Sequence, residues 1–172
     1  MFFKKVTLFR FFGFDVRADA SWLFLSVFIS WSLSTHYYPA LLPNLYANTY
    51  QLMGVATLAG LMFSIIAHDA AHAVIAEYYQ MPIRSITLFI FGGVAEMKGE
   101  PSHPKGELLM ALAGPIMSLL LGLFFRALAE MSTPLGIDTL TACLRYLGTI
   151  NFLIAAFNMA PAFPLDGGRA LR

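Results

Sequence analysis

The sequence predicts an α-helical polytopic membrane protein, with about four transmembrane helices and a small β-sheet or hairpin at the cytoplasmic face. Three observations predict it. Hydrophobic residues make up 58% of the 172-residue chain against 12% charged, too little polar surface for a water-soluble domain of this length. Charge-free windows approaching the roughly 20 residues needed to cross a bilayer recur along the chain. Lys and Arg are also distributed very unevenly among the segments between those windows.

The opening Met1-Phe2-Phe3-Lys4-Lys5 is basic, but Arg10, Asp15, Arg17 and Asp19 precede any uniform apolar run. No small-residue cleavage site follows, so the segment reads as mature protein rather than a signal peptide. Residues 6–16 are strand-like, broken at Gly13. The first span, residues 20–37, is uncharged, and the loop from Thr35 to Tyr50 carries no Lys or Arg. The second span, residues 50–78, is uncharged until His68. Residues 85–97 are again strand-like: Ile86-Thr87-Leu88-Phe89-Ile90-Phe91 is rich in β-formers and runs into Gly92-Gly93. Glu100 to Gly106 reads as a polar loop. The third span, residues 108–128, is interrupted by Arg126 and carries Gly114, Ser118 and Gly122 four residues apart. That stripe of small residues reads as scaffold, a surface for close helix packing. The fourth span, residues 140–160, holds Arg145 near its start and breaks at Pro161 and Pro164.

Residues 1–172 read as a single membrane-embedded unit. Lys4, Lys5, Arg10 and Arg17 precede the first span, Arg84, Lys98 and Lys105 separate the second from the third, and Arg169 and Arg172 follow the fourth. Only Arg126 and Arg145 fall on the other side, so the positive-inside rule predicts a multi-pass inner-membrane protein with both termini cytoplasmic. A net charge of +1 without a basic cluster gives no reason to expect nucleic acid. The lone Cys143 excludes an intrachain disulfide and a cysteine-rich metal site. Any metal must be held by His and carboxylates.

Such a set is present. In His68-Asp69-Ala70-Ala71-His72 the two histidines are four apart, so a helix puts both imidazoles on one face, within reach of one ion. This is the geometry of the zinc motif in which two His bind the metal and the acid beside the first is the general base. Ionisable groups inside a transmembrane span are costly and usually functional. A catalytic zinc takes a third protein ligand. His36 belongs to the opposite loop and His103 to the polar cytoplasmic loop, which leaves Asp166 as the better candidate. It lies in Asn158-Met159-Ala160-Pro161-Ala162-Phe163-Pro164-Leu165-Asp166-Gly167-Gly168, where the prolines prevent a regular helix and the glycines allow tight turns. Irregular backbone at membrane depth is tolerated where protein or a wet cavity covers it.

The histidine pair and the Asn-x-x-Pro-x-x-Pro-Leu-Asp-Gly-Gly run resemble the two signature motifs of the site-2 protease family of intramembrane zinc metalloproteases. Ser85 to Ala95 and Ala111-Leu112-Ala113-Gly114-Pro115 resemble the segments between those motifs in microbial members, and the resemblance covers nearly the whole chain. It implies one Zn2+ ion held by His68, His72 and Asp166, the acid at position 69 as general base, and Asn158 as a stabilising or substrate-positioning group. It also implies transmembrane protein substrates, such as membrane-anchored regulators, met within the lipid bilayer. One departure stands out: the family has Glu where this chain has Asp69. The side chain is one methylene shorter, and misplacing a catalytic group by about 1 Å can cost on the order of a hundredfold in rate. The alternative is therefore an impaired, zinc-binding pseudoprotease that binds membrane clients. An ion carrier is a further alternative, opposed by the Pro-Leu-Asp-Gly-Gly run and by the absence of a visible inverted repeat. Locally unwound substrate would need an extended partner, and Ile86 to Phe91 is a candidate edge strand for it.

Overall fold

The structure, a computed structural model, describes residues 6–11, 14–18, 20–80, 83–89, 92–97, 104–162 and 165–170. His103 and residues 100–102 lie outside the described residues, as do Phe163 and Pro164, whereas residues 104–106, expected as loop, are helical. Each of the two strand-like stretches forms two strands: β1 (Val6–Phe11) and β2 (Phe14–Ala18), then β3 (Ile83–Phe89) and β4 (Gly92–Met97). Together they make one sheet in the order β1-β2-β3-β4. The outer pairs are antiparallel, while β2 and β3 run parallel, from Asp15 beside Ser85 to Ala18 beside Leu88. Parallel strands need a long crossover, and the helices between residues 20 and 78 supply it. Because β3 is paired on both sides, it presents no free edge to an extended substrate; the free edges of the sheet belong to β1 and β4.

The helical part differs from the expected four spans. Among the described residues, three helical stretches are long and apolar enough to cross a membrane: Ala47–Tyr78, Lys105–Leu135 and Asp138–Asn158. The expected first span is helical from residue 20 to 41, but a π-turn interrupts its α-helical ladder. Helix α1 (Ala20–Ser32) has 13 residues. A π-turn, Leu33–Tyr37, follows, and then the four-residue α2 (Tyr38–Leu41). The local sequence accounts for the π-turn. Ser34 and Thr35 hydroxyls donate to the carbonyls of Ser30 and Trp31, at 2.7 and 2.8 Å. Such back-bonding competes with the helical ladder, and Pro39 has no N–H to give it.

Three long helices follow: α3 (Ala47–Tyr78), α4 (Pro104–Ser132) and α5 (Asp138–Asn158), with a short α6 (Asp166–Ala170) at the end. Their polarity is inverted relative to a water-soluble bundle. On α3 the buried stripe includes Thr57, Ser64, His68 and Asp69, while Leu52, Val55 and Phe63 are more than half exposed. Large apolar side chains facing outward are what a lipid solvent requires. Inside, small residues bring the helices together. A Cβ at Gly122 of α4 would lie 2.6 Å from the Phe152 ring, and one at Gly148 of α5 would lie 2.8 Å from the Arg126 side chain. A Cβ at Gly60 of α3 would lie 2.5 Å from Leu147. These contacts fix α3, α4 and α5 around a common interior, and α6 packs back onto α4.

Candidate metal centre

Helix α3 carries His68 and His72 one turn apart, ten residues or fewer from its end at Tyr78. At 1.5 Å per residue His68 lies about 15 Å from that end. Asp166 arrives from the other end of the chain. Past α5 the backbone turns tightly, with Ala162 N–H donating to Ala160 O and Leu165 N–H to Ala162 O, both at 2.8 Å. Gly167 is required here, because a Cβ at that position would collide with the carbonyl oxygens of Met159 and Ala160. The folded-back loop sets the first residue of α6, Asp166, against the two imidazoles.

Three donor atoms converge. His72 Nε2 lies 3.2 Å from His68 Nε2, and Asp166 Oδ2 lies 3.2 Å from His72 Nε2 and 3.4 Å from His68 Nε2. Despite these distances, Asp166 Oδ2 is buried without a hydrogen-bond partner. An orphaned buried carboxylate oxygen is expensive, and a cation between the three donors would satisfy it. The spacing fits zinc: tetrahedral ligands about 2.0–2.2 Å from the ion are roughly 3.3–3.5 Å from one another. Among the described residues, His68, His72 and Asp166 are the cluster whose donors could hold a metal ion.

Each imidazole is held from behind. His72 Nδ1 is 2.6 Å from Met110 O, a carbonyl that can only accept, so Nδ1 carries the proton and Nε2 presents its lone pair. His68 Nδ1 is 2.8 Å from Ser118 Oγ. This is the usual arrangement for a metal-binding histidine, whose far nitrogen is fixed by a second partner. Both partners belong to α4. Gly114, between them, makes the approach possible: its added Cβ would strike His72 Nε2 and come within 2.6 Å of His68 Nε2. The stripe Gly114–Ser118–Gly122 is therefore more than scaffold. Its first two members shape the centre, and the third packs helices. The signal in the sequence was depth: α3 and α4 run antiparallel, so a hydroxyl one turn beyond Gly114 falls level with His68.

Asp69 is buried beside His68, with Oδ2 lacking a hydrogen-bond partner. Asn158, at the last residue of α5, is half-buried and donates from Nδ2 to Ile154 O at 3.0 Å, a turn back along its own helix. His36 lies in the π-turn, bonded to Thr35 Oγ1 and edge-on to Trp31, and takes no part in the cluster. Asn151 of α5, which no motif singles out, is fully buried and clips α5 to α3 through Ser64 Oγ at 2.9 Å.

This combination defines a class: a polytopic helical membrane protein with a His/His/Asp cluster whose donors could hold a metal ion. Comparison with known proteins narrows it. Residues 56–138 match the peptidase family M50. Rip3 of Mycobacterium tuberculosis is 38% identical over 170 residues, covering 97% of this chain and 42% of its own length. A zinc metalloprotease of Methanocaldococcus jannaschii is 35% identical over 113 residues, 65% of this chain and 32% of its own. The solved structure of a site-2 protease from the same archaeon has the same fold, with a TM-score of 0.65 at 24% identity, across 98% of this chain and 70% of that one. The chain is a relative of the site-2 proteases, peptidase family M50. It spans less than half the length of the curated relatives it matches.

Proposed function

We propose that residues 1–172 form the membrane-embedded core of a zinc metalloprotease that hydrolyses peptide bonds within transmembrane segments of other proteins. The observation that carries this reading is the cluster of three donors, 3.2–3.4 Å apart, each imidazole braced from α4. His68, His72 and Asp166 would hold one Zn2+ ion. Zinc bound there supplies Lewis acidity, activating a water and polarising the scissile carbonyl. Asp69 takes the proton released by the attacking water and passes it to the leaving amide nitrogen. Its buried, unpartnered Oδ2 is free for this task. Asn158 positions substrate or donates a hydrogen bond to the developing oxyanion, turning its amide away from Ile154 to do so. The Met110 carbonyl keeps the His72 proton on Nδ1, and Ser118 Oγ faces the corresponding nitrogen of His68.

The uneven Lys and Arg placement supports a cytoplasmic location for both termini and for the face that bears the sheet. Substrates on this reading are membrane-anchored regulatory proteins whose helices unwind locally to expose an amide. The names of relatives with similar sequences, zinc metalloproteases among them, support the same reading.

The test is cleavage of a model transmembrane substrate by purified zinc-loaded protein, alongside Asp69→Glu and His68→Ala. Cleavage that is faster with Asp69→Glu and lost with His68→Ala supports the protease. Stoichiometric zinc without cleavage by either the unmodified chain or Asp69→Glu would favour the zinc-binding pseudoprotease.

A further inference from the structure

Two buried polar groups next to the centre have complementary deficits. With a metal on His68 Nε2, Nδ1 carries the proton and donates to Ser118 Oγ, 2.8 Å away. The Ser118 hydroxyl proton then needs an acceptor, and the bond to His68 is the one bond Ser118 makes among the described residues. Asn151 shows the opposite lack. Its Nδ2 donates to Ser64 Oγ and Leu147 O, at 2.9 and 2.8 Å, while its Oδ1 is buried with no partner. Both side chains are fully buried.

The packing brings them within about one helical turn of each other. Antiparallel α4 and α5 touch where Gly122 meets Phe152, and where a Cβ on Gly148 would lie 3.2 Å from Gly122 O. One turn back along α4, Ser118 therefore faces the turn of α5 that follows Asn151. On α3 their partners, His68 and Ser64, are also one turn apart on one face. A donor without an acceptor and an acceptor without a donor thus converge between three helices. Leaving a buried amide oxygen unpaired is costly, and polar buried sites with two or more partners hold ordered water.

We propose that Ser118 donates to Asn151 Oδ1 through one buried water, so that Asn151 is a positioning residue for the metal ligand His68. The chain Asn151–water–Ser118–His68 fixes the Ser118 hydroxyl as an acceptor toward Nδ1 and thereby holds the Nε2 lone pair on the metal side. This rests on the zinc reading above and extends it by a further layer of polar support.

The experiment is a double-mutant cycle on zinc affinity, measured on the full chain by competition with a chromogenic chelator. Ser118→Ala and Asn151→Leu should each weaken zinc binding about tenfold, the loss typical of outer-shell partners. The double variant should be no weaker than Ser118→Ala alone, because both act through one path. Ser64→Ala, which removes a partner of Nδ2 and leaves Oδ1, should change affinity less than twofold. If Asn151→Leu does not fold, Asn151→Ser takes its place in the cycle. Multiplying effects, or an Asn151 variant that lowers thermal stability with unchanged zinc affinity, would overturn the relay and leave the metal centre standing. No stoichiometric zinc on the unmodified chain would overturn both.

Discussion

At the scale of single residues, the centre is a set of groups whose individual removal has distinct consequences. Loss of His72 or Asp166 takes away one of three donors, so His72→Ala and Asp166→Ala should purify with little or no zinc, measured by elemental analysis. Asp69 is not a donor in the cluster. Asp69→Asn should therefore keep its zinc and lose cleavage, while Asp69→Glu should accelerate cleavage by up to about a hundredfold as the carboxylate gains reach. Gly114 tests the fit from the opposite side. Its added methyl would land on the imidazoles, so Gly114→Ala should weaken zinc binding more than tenfold while circular dichroism shows an unchanged helical fold. The three donors were legible in the sequence because their spacing and their cost in a membrane are both visible there. Ser118 and Asn151 were not, because a Ser in a small-residue stripe and an Asn in an apolar helix have no meaning until the helices are placed beside one another.

At the scale of elements, the long spans read clearly because uninterrupted apolar composition is a one-dimensional signal. The first span is helical as well, but the π-turn inside it was not legible. Its composition is apolar enough, but Ser34, Thr35 and Pro39 act on the backbone ladder, and that effect depends on which carbonyls their side chains reach. Likewise, β-forming residues announced strands, whereas the pairing of β2 with β3 across an intervening helical segment was not written in either stretch. Helix packing supplies a prediction of its own. Gly122 and Gly148 set the closeness of α4 and α5, so Gly122→Leu should destabilise the protein by about 1–3 kcal/mol, the usual cost of overpacking, read from thermal unfolding in detergent.

For the whole molecule, the inverted polarity of the helices and the placement of basic residues make one prediction about the membrane. In a background with Cys143 replaced by Ser, Asn48→Cys and Lys105→Cys introduce thiols at exposed positions near opposite ends of α3 and α4. A membrane-impermeant maleimide should label Asn48→Cys on intact cells and Lys105→Cys only after permeabilisation; the reverse pattern would invert the proposed orientation.

The order of the ligands along the chain has a consequence for biosynthesis. Two donors enter the membrane together on α3, and the third is reached some ninety-four residues later, after α4 and α5. A nascent chain that has inserted its first long helix carries both histidines but cannot complete the coordination, and the support from Met110 and Ser118 does not yet exist either. On the proposed function a partly translated chain would be hydrolytically silent, and metal loading would follow the synthesis and folding back of the loop that bears Asp166.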